Sequence, residues 1–260
     1  MNKKNYSEFY HLHIPKTGGT QLSSILNDNL FPILLKNNIS IFNYNNYNKR
    51  NKSHSGWKPV IHNQYIVSSF RDPVKRIISH FFWMLKLIEK NEIKITKENK
   101  HLFYFQPNVK DYKNPTKQEF IYWIEKNKDY LSDYQSKNFF YRENDYVVPT
   151  CLQGSSSALS IKEFNKNEAI KNILRTDLLI KTENIKIDNF KNILNKILND
   201  FDLKNENKII KININLSNSY NKSLIFYKSL SKEEVEYIES LNILDLEIYN
   251  TDSFFWDPKS

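Results

Sequence analysis

The sequence predicts an α/β fold with a central, mainly parallel sheet flanked by helices. Two observations carry that expectation. Short runs rich in aromatic and β-branched residues, 9–14, 64–70 and 178–181, alternate with longer stretches in which apolar residues recur at helical spacing. Strand–helix–strand units of this kind pair in parallel through a crossover. Two of the four glycines also stand side by side shortly after the first run, where a strand would turn into a helix. The chain has 260 residues and is 40% hydrophobic, enough to bury a real core. Residues 1–260 read as a single domain, with an insertion or lid at about 90–117.

The first run, Phe9-Tyr10-His11-Leu12-His13-Ile14, reads as a strand. Leu22, Ile25, Leu26 and Leu30 follow at helical spacing. Between them lies His13-Ile14-Pro15-Lys16-Thr17-Gly18-Gly19-Thr20. A strand, a tight glycine loop with one lysine, and a helix start make an anion site, because the first backbone N–H groups of a helix are unpaired and its dipole favours negative charge. Gly18 and Gly19 let the backbone curl close to a phosphate. Lys16 supplies a mobile charge, and Thr17 and Thr20 supply hydroxyls. The bland alternative is a strand–turn–helix corner with a solvated lysine. The loop is not the nucleotide triphosphatase motif, in which the lysine follows the glycines.

Residues 37–55 are dense in Asn, Tyr and Lys and read as a surface loop with one short strand at Ile39–Phe42. Gln64–Phe70 is the second strand. Arg71-Asp72-Pro73 follows, with Asp72 suited to cap a helix and Pro73 to its first position. Ile77, Phe81, Met84, Leu85 and Ile88 then form an apolar stripe. Lys16 and Arg71 thus both fall at the carboxyl ends of strands, where open α/β sheets bind ligands. Alone, Arg71 would equally suit an ion pair with Asp72. Paired with the first loop in this order, it reads as a phosphate ligand.

The octapeptide His13–Thr20 resembles the 5′-phosphosulfate loop of carbohydrate sulfotransferases, especially the heparan sulfate 2-O/6-O type. Arg71-Asp72-Pro73-Val74-x-Arg76-x-x-Ser79-His80-Phe81 resembles the 3′-phosphate motif of the same enzymes. The resemblance is specific in two windows, 11–20 and 70–82. It implies a P-loop-like three-layer fold and 3′-phosphoadenosine-5′-phosphosulfate (PAPS) as sulfate donor. 3′,5′-ADP would be the product, the acceptor a glycan or related hydroxyl, and no metal would be required. On the matching positions, Lys16 would act on the bridging oxygen and Thr17, Gly18, Gly19 and Thr20 would hold the 5′-phosphate. Arg71 and Ser79 would hold the 3′-phosphate. The family's catalytic histidine lies in a loop shortly before the Arg-Asp-Pro strand. His54, seventeen residues before Arg71, is the expected base, and His62 is the second choice. A non-catalytic surface histidine is the alternative, since the segment is shorter than in relatives. Phosphotransferase activity and non-catalytic nucleotide or polyanion binding stay open as other readings.

Farther along, His101–Phe105 reads as a satellite core or, alternatively, a sugar-stacking platform. Gln118–Lys126 reads as a helix. Tyr130–Lys137 loosely resembles a family helix near the acceptor, which carries Gln135 and Lys137 over as candidates there. Glu168–Arg175 is helix-like, and Leu178–Lys181 is a strand ended by Thr182-Glu183, as in relatives. Ile187–Phe201 is amphipathic. Lys204–Asn221 is polar; in relatives a loop here approaches the nucleotide, as Asn221-Lys222-Ser223 would. Ser231-Lys232-Glu233-Glu234 is a capping box, and Asn242–Tyr249 with Asp245 reads as a packing helix.

Net charge is 38 − 29 = +9, which suits an anionic ligand, although lysine is spread evenly and follows an Asn- and Ile-rich compositional bias. No nucleic-acid motif is present. No run of about 18 apolar residues suggests a membrane span. The polar Met1–Glu8 does not read as a signal segment, and the one cysteine, Cys151, reads as a small buried hydrophobe. A reducing, cytoplasmic compartment is expected. His11 and His13 share a strand face without carboxylates and read as packed residues rather than metal ligands.

Overall fold

The structure is a computed structural model that describes residues 6–14, 16–41, 63–89, 107–140, 164–203 and 218–258. The protein is α/β, with a four-stranded, all-parallel sheet flanked by helices. The strands are β1 (Glu8–Leu12), β2 (Ser40–Ile41), β3 (Gln64–Phe70) and β4 (Leu178–Lys181), in the order β2-β1-β3-β4. β1 and β3 pair from Glu8↔Gln64 to Leu12↔Ser68, and β3 pairs with β4 from Val67↔Leu178 to Phe70↔Lys181. Every residue of β3 is buried, as a strand covered on both faces must be.

Side chains alternate between two cores because successive strand residues point to opposite faces. Phe9, Tyr65, Val67, Leu178 and Ile180 face one core. It is closed by α1 (Gly19–Ile25), a π-turn at Leu26–Leu30, α2 (Phe31–Lys36) and α8 (Ile187–Asp200). Tyr10, Leu12, Ile66, Phe70 and Leu179 face the other. There α3 (Pro73–Glu89) lays Val74, Ile77, Ile78, Phe81 and Leu85 on the sheet. The outer side of α3 is covered by α4 (Lys117–Lys126), α9 (Asn218–Ser229), α10 (Lys232–Ser240) and α11 (Ile243–Asn250). The rings of Phe81, Phe120 and Phe226 meet edge to face or tilted at 5.0–6.3 Å. Two short helices, α5 (Lys128–Leu131) and α6 (Tyr134–Lys137), and α7 (Lys166–Leu174) complete this side.

Local signals explain the boundaries. The α3 cap is Asp72, whose Oδ1 accepts the Lys75 N–H at 2.9 Å and whose carbonyl accepts the Arg76 N–H. Thr116 with Glu119 and Ser231 with Glu234 form reciprocal capping boxes at α4 and α10. Beyond α11 the chain crosses the edge of β4, where the Trp256 N–H donates to the Leu179 carbonyl at 2.9 Å and covers the open edge. Among the described residues no helix is long and apolar enough to cross a membrane.

Phe9 is fully buried against Phe31, Tyr65 and Phe201, whereas Ile225 on α9 is 70% exposed. Phe9→Ala is expected to cost about 3–5 kcal/mol in urea unfolding, and Ile225→Ser to stay within about 0.5 kcal/mol.

Candidate functional site

β1 and β3 are neighbours, yet the chain leaves them toward opposite faces. After β1 it turns into α1, on the face of Phe9; after β3 it turns into α3, on the face of Tyr10. Adjacent parallel strands whose continuations diverge leave a crevice at their carboxyl ends, the place where open α/β sheets bind ligands. Lys16–Gly18 and Arg71 stand at its two sides.

The loop after β1 is wound tightly. Lys16 has φ 68° and Gly18 has φ 79°, flanking Thr17, whose φ is negative. Alternation of this kind turns successive N–H groups to one side and makes a concave anion nest. Gly18 is required twice over. Its φ lies in the left-handed region, and a Cβ there would stand 2.9 Å from Thr182 Cγ2 and 3.3 Å from Ile185 Cδ1. Gly18 is also the residue preceding α1, which has no side-chain cap, so the first N–H groups of that helix are left for another partner. Gly19 and Thr20 open α1; the Thr20 side chain lies outside the described residues.

Thr17 is fully buried, and its hydroxyl turns inward, donating to the Ile14 carbonyl at 2.9 Å and lying 3.1 Å from Ser69 Oγ. It braces the loop instead of facing the crevice. Ser68 donates to the Leu12 carbonyl at 2.9 Å. These two small serines at the end of β3 let the loop pack where larger side chains would block it. The Thr182 hydroxyl, just past β4, lies 2.5 Å from the Thr17 carbonyl and 3.1 Å from the Phe70 carbonyl. It ties the loop after β1 to the ends of β3 and β4.

Arg71 is 9% exposed and directs Nη1 to the Lys16 carbonyl at 3.3 Å, so the two anion-suited segments are in contact. Its own backbone is gripped by Gln135: Oε1 accepts the Arg71 N–H and Nε2 donates to the Arg71 carbonyl, both at 2.8 Å. Ser79 lies half-buried on α3, about two turns on from the Asp72 cap. One further turn along, Trp83 lies beneath the Lys16 ammonium, 5.5 Å from Nζ to the ring centre. Within reach of the Arg71 and Asp72 charges, the Tyr249 phenol is pushed well above its usual range. Burial is the main cause, followed by the charge of Glu183, which also accepts its proton in a hydrogen bond.

Several expected groups fall elsewhere. His54, the expected base, and His62 lie outside the described residues, as do His101–Phe105, Cys151 and residues 204–217 of the polar stretch. The three described histidines, His11, His13 and His80, are all buried. His11 and His13 stack at 5.6 Å, with His11 Nδ1 3.3 Å from Ser23 Oγ. The Asn221 side chain is outside the described residues; Lys222 is exposed and Ser223 is buried on α9. Among the described residues no group of three or more His, Cys, Asp or Glu side chains is placed to hold a metal ion. Gln135, expected beside an acceptor, is fully buried behind Arg71, and Lys137 turns its ammonium onto the Asp129 carbonyl at 2.8 Å. Asp245 does more than pack: it accepts four hydrogen bonds from Gln135 and Ser136. Neither spacing nor periodicity marks these partners, because Gln135 and Asp245 stand 110 residues apart.

No protein-family model matches the sequence, and the search of curated proteins found no significant match.

Gly18→Ala combines left-handed strain with a 2.9 Å contact. It is expected to destabilise the fold by about 2 kcal/mol in thermal or urea unfolding, whereas Ser79→Ala, on a half-buried helix position, is expected to stay within about 0.5 kcal/mol.

Proposed function

We propose that the protein is a PAPS-dependent sulfotransferase that moves a sulfuryl group to a hydroxyl of a glycan or related acceptor, on a P-loop-like three-layer fold. The observation that carries this reading is the contact of Arg71 Nη1 with the Lys16 carbonyl, 3.3 Å apart, at the carboxyl ends of β1 and β3. Two segments with sulfotransferase-like sequences thereby share one crevice. PAPS carries its phosphates on two separate positions of one ribose, and a loop of N–H groups beside an arginine fork suits that pair. The donor set fits: the left-handed turn at Lys16–Gly18 and the uncapped start of α1 supply N–H groups, and Arg71 supplies a planar fork. Backbone strain at Lys16, a non-glycine residue at φ 68°, is of the kind concentrated at ligand sites.

The chemistry then follows from charge. The N–H groups of Thr17–Thr20 hold the 5′-phosphate, and Arg71 with Ser79 holds the 3′-phosphate. Lys16 neutralises the charge that develops on the bridging oxygen as the S–O bond breaks. A base, assigned to His54, takes the proton of the acceptor hydroxyl as its oxygen bonds to sulfur. The products are the sulfate ester and 3′,5′-ADP. The inward-turned Thr17 hydroxyl leaves its backbone N–H as that residue's contribution.

Calorimetric titration with 3′,5′-ADP against 5′-AMP, with no metal added, tests the donor site. Binding is expected to depend on the 3′-phosphate and to weaken about 30-fold in Arg71→Ala, the loss of about 2 kcal/mol from a charge-assisted contact. With PAPS and a glycan acceptor, Lys16→Ala is expected to lower the rate of sulfate transfer at least 100-fold with a smaller effect on 3′,5′-ADP affinity. Equal affinity for the two nucleotides would overturn the reading in favour of a phosphotransferase. Selective 3′,5′-ADP binding without transfer to any acceptor would favour a non-catalytic binding protein.

A further inference from the structure

Arg71 occupies an awkward place in the fold. β3 ends at Phe70, whose partner is Lys181, and α3 starts at Pro73. The main chain of Arg71 therefore has neither a strand ladder nor a helix to hold it. A buried, unpaired backbone group costs about 1–3 kcal/mol. The residue that carries the guanidinium would be the loosest point of the crevice if nothing replaced the ladder.

Gln135 replaces it. Its carboxamide has the same donor and acceptor as a peptide group, and it meets Arg71 as a neighbouring strand would. Oε1 accepts the Arg71 N–H at 2.8 Å, and Nε2 donates to the Arg71 carbonyl at 2.8 Å. With both main-chain groups taken, the direction in which the Arg71 side chain leaves the backbone is fixed. A glutamine amide can be turned over, which would place two acceptors and two donors face to face. Asp245 prevents that. Its Oδ2 accepts the Gln135 N–H at 3.0 Å and Nε2 at 3.3 Å, so the nitrogen must lie on the Asp245 side and the oxygen on the Arg71 N–H. Its Oδ1 accepts the backbone N–H and the hydroxyl of Ser136.

Asp245 is itself held. Asp133 Oδ1 accepts the N–H groups of Leu244 and Asp245 at 2.9 and 3.1 Å, fixing the start of α11 against the start of α6. A nearby cation is Arg76 of α3, fully buried, stacked 4.4 Å from the Tyr134 ring and donating Nη2 to the Leu131 carbonyl at 3.4 Å. Lys137 of α6 also feels the Asp245 charge. Burial favours the neutral form of Asp245 and of Arg76 alike, and the attraction between them opposes this for Arg76. Gln135, Ser136 and Asp245 are all 0% exposed. A helix contact made only to seal a core would use apolar residues, since buried polar groups add little net stability. The Gln135–Ser136–Asp245 part of this network has its side-chain polar atoms hydrogen-bonded, which fixes one geometry instead. Nε and Nη1 of Arg76, by contrast, are buried without a hydrogen-bond partner among the described residues.

We infer that Gln135, oriented by the Asp245 carboxylate, is a positioning residue for the 3′-phosphate site, acting through the main chain of Arg71. The inference rests on the donor-site reading above. It assigns recognition of the 3′-phosphate to a residue that touches no ligand, and gives the α6–α11 contact a role in nucleotide discrimination.

The test is the ratio of 5′-AMP to 3′,5′-ADP dissociation constants in the full-length protein. Gln135→Met keeps the length of the side chain and removes both hydrogen bonds to Arg71 along with the one to Asp245. Phe190→Leu, a core change on the opposite face of the sheet, serves as the stability reference. Gln135→Met is expected to lower the ratio at least 10-fold while 5′-AMP affinity stays within twofold, and Phe190→Leu to leave the ratio unchanged. Should Gln135→Met not fold, Gln135→Asn, one methylene too short to meet both Arg71 groups, gives the same readout. A wild-type ratio well above one that survives in the folded Gln135 variant overturns this inference and leaves the donor site standing. A similar fall in Phe190→Leu overturns it too, because general destabilisation would then explain the loss. A wild-type ratio near one overturns the donor-site reading and this inference together.

Discussion

Five residue pairs, from Glu8↔Gln64 to Leu12↔Ser68, lock β1 against β3 in parallel, and the candidate site depends on that register. It brings the ends of the two strands to one level, so that the Lys16 carbonyl and the Arg71 guanidinium meet. The same pairing sends α1 and α3 to opposite faces. A slip of one residue would reverse the facing of every β1 side chain, moving Phe9 and Tyr10 into the wrong cores. Thr182 then adds β4 to the assembly through the carbonyls of Thr17 and Phe70. The contact between the two loops is thus a property of strand pairing, built outside the loops themselves.

Much of this was legible in the chain because it is local. The second and third predicted strands coincide with β3 and β4, and the first is shifted only slightly, to Glu8–Leu12. Asp72-Pro73 and Ser231–Glu234 announce helix starts by chemistry that acts within a turn, and both are helix starts in the structure. The short strand expected at Ile39–Phe42 is Ser40–Ile41. Gly18 shows why local reasoning stops short. Its left-handed turn follows from its type, but the 2.9 Å approach of Thr182 is a tertiary fact that sequence position does not carry.

The rest of the site is non-local. Gln135, which a loose resemblance puts beside an acceptor, is a peptide mimic behind Arg71 in three dimensions. Asp245 sits on a helix that reads as packing, and its four accepted hydrogen bonds all come from residues more than 100 positions away. Arg76, in the sequence only one residue of the Arg71–Phe81 motif, is fully buried against Tyr134. Each reverses the usual expectation for a charged or amide side chain, and each lies behind Arg71. Buried polar groups of this kind are costly unless satisfied, so their concentration at one end of one strand marks where a defined geometry matters most.

The most direct test of the central claim, that the crevice between β1 and β3 is a two-phosphate site, is a crystal structure with 3′,5′-ADP bound. The 5′-phosphate is expected within hydrogen-bond distance of the backbone N–H groups of Thr17–Thr20, with the 3′-phosphate on the Arg71 guanidinium and Ser79. A nucleotide seated elsewhere, or one whose 3′-phosphate points to solvent away from Arg71, would contradict it.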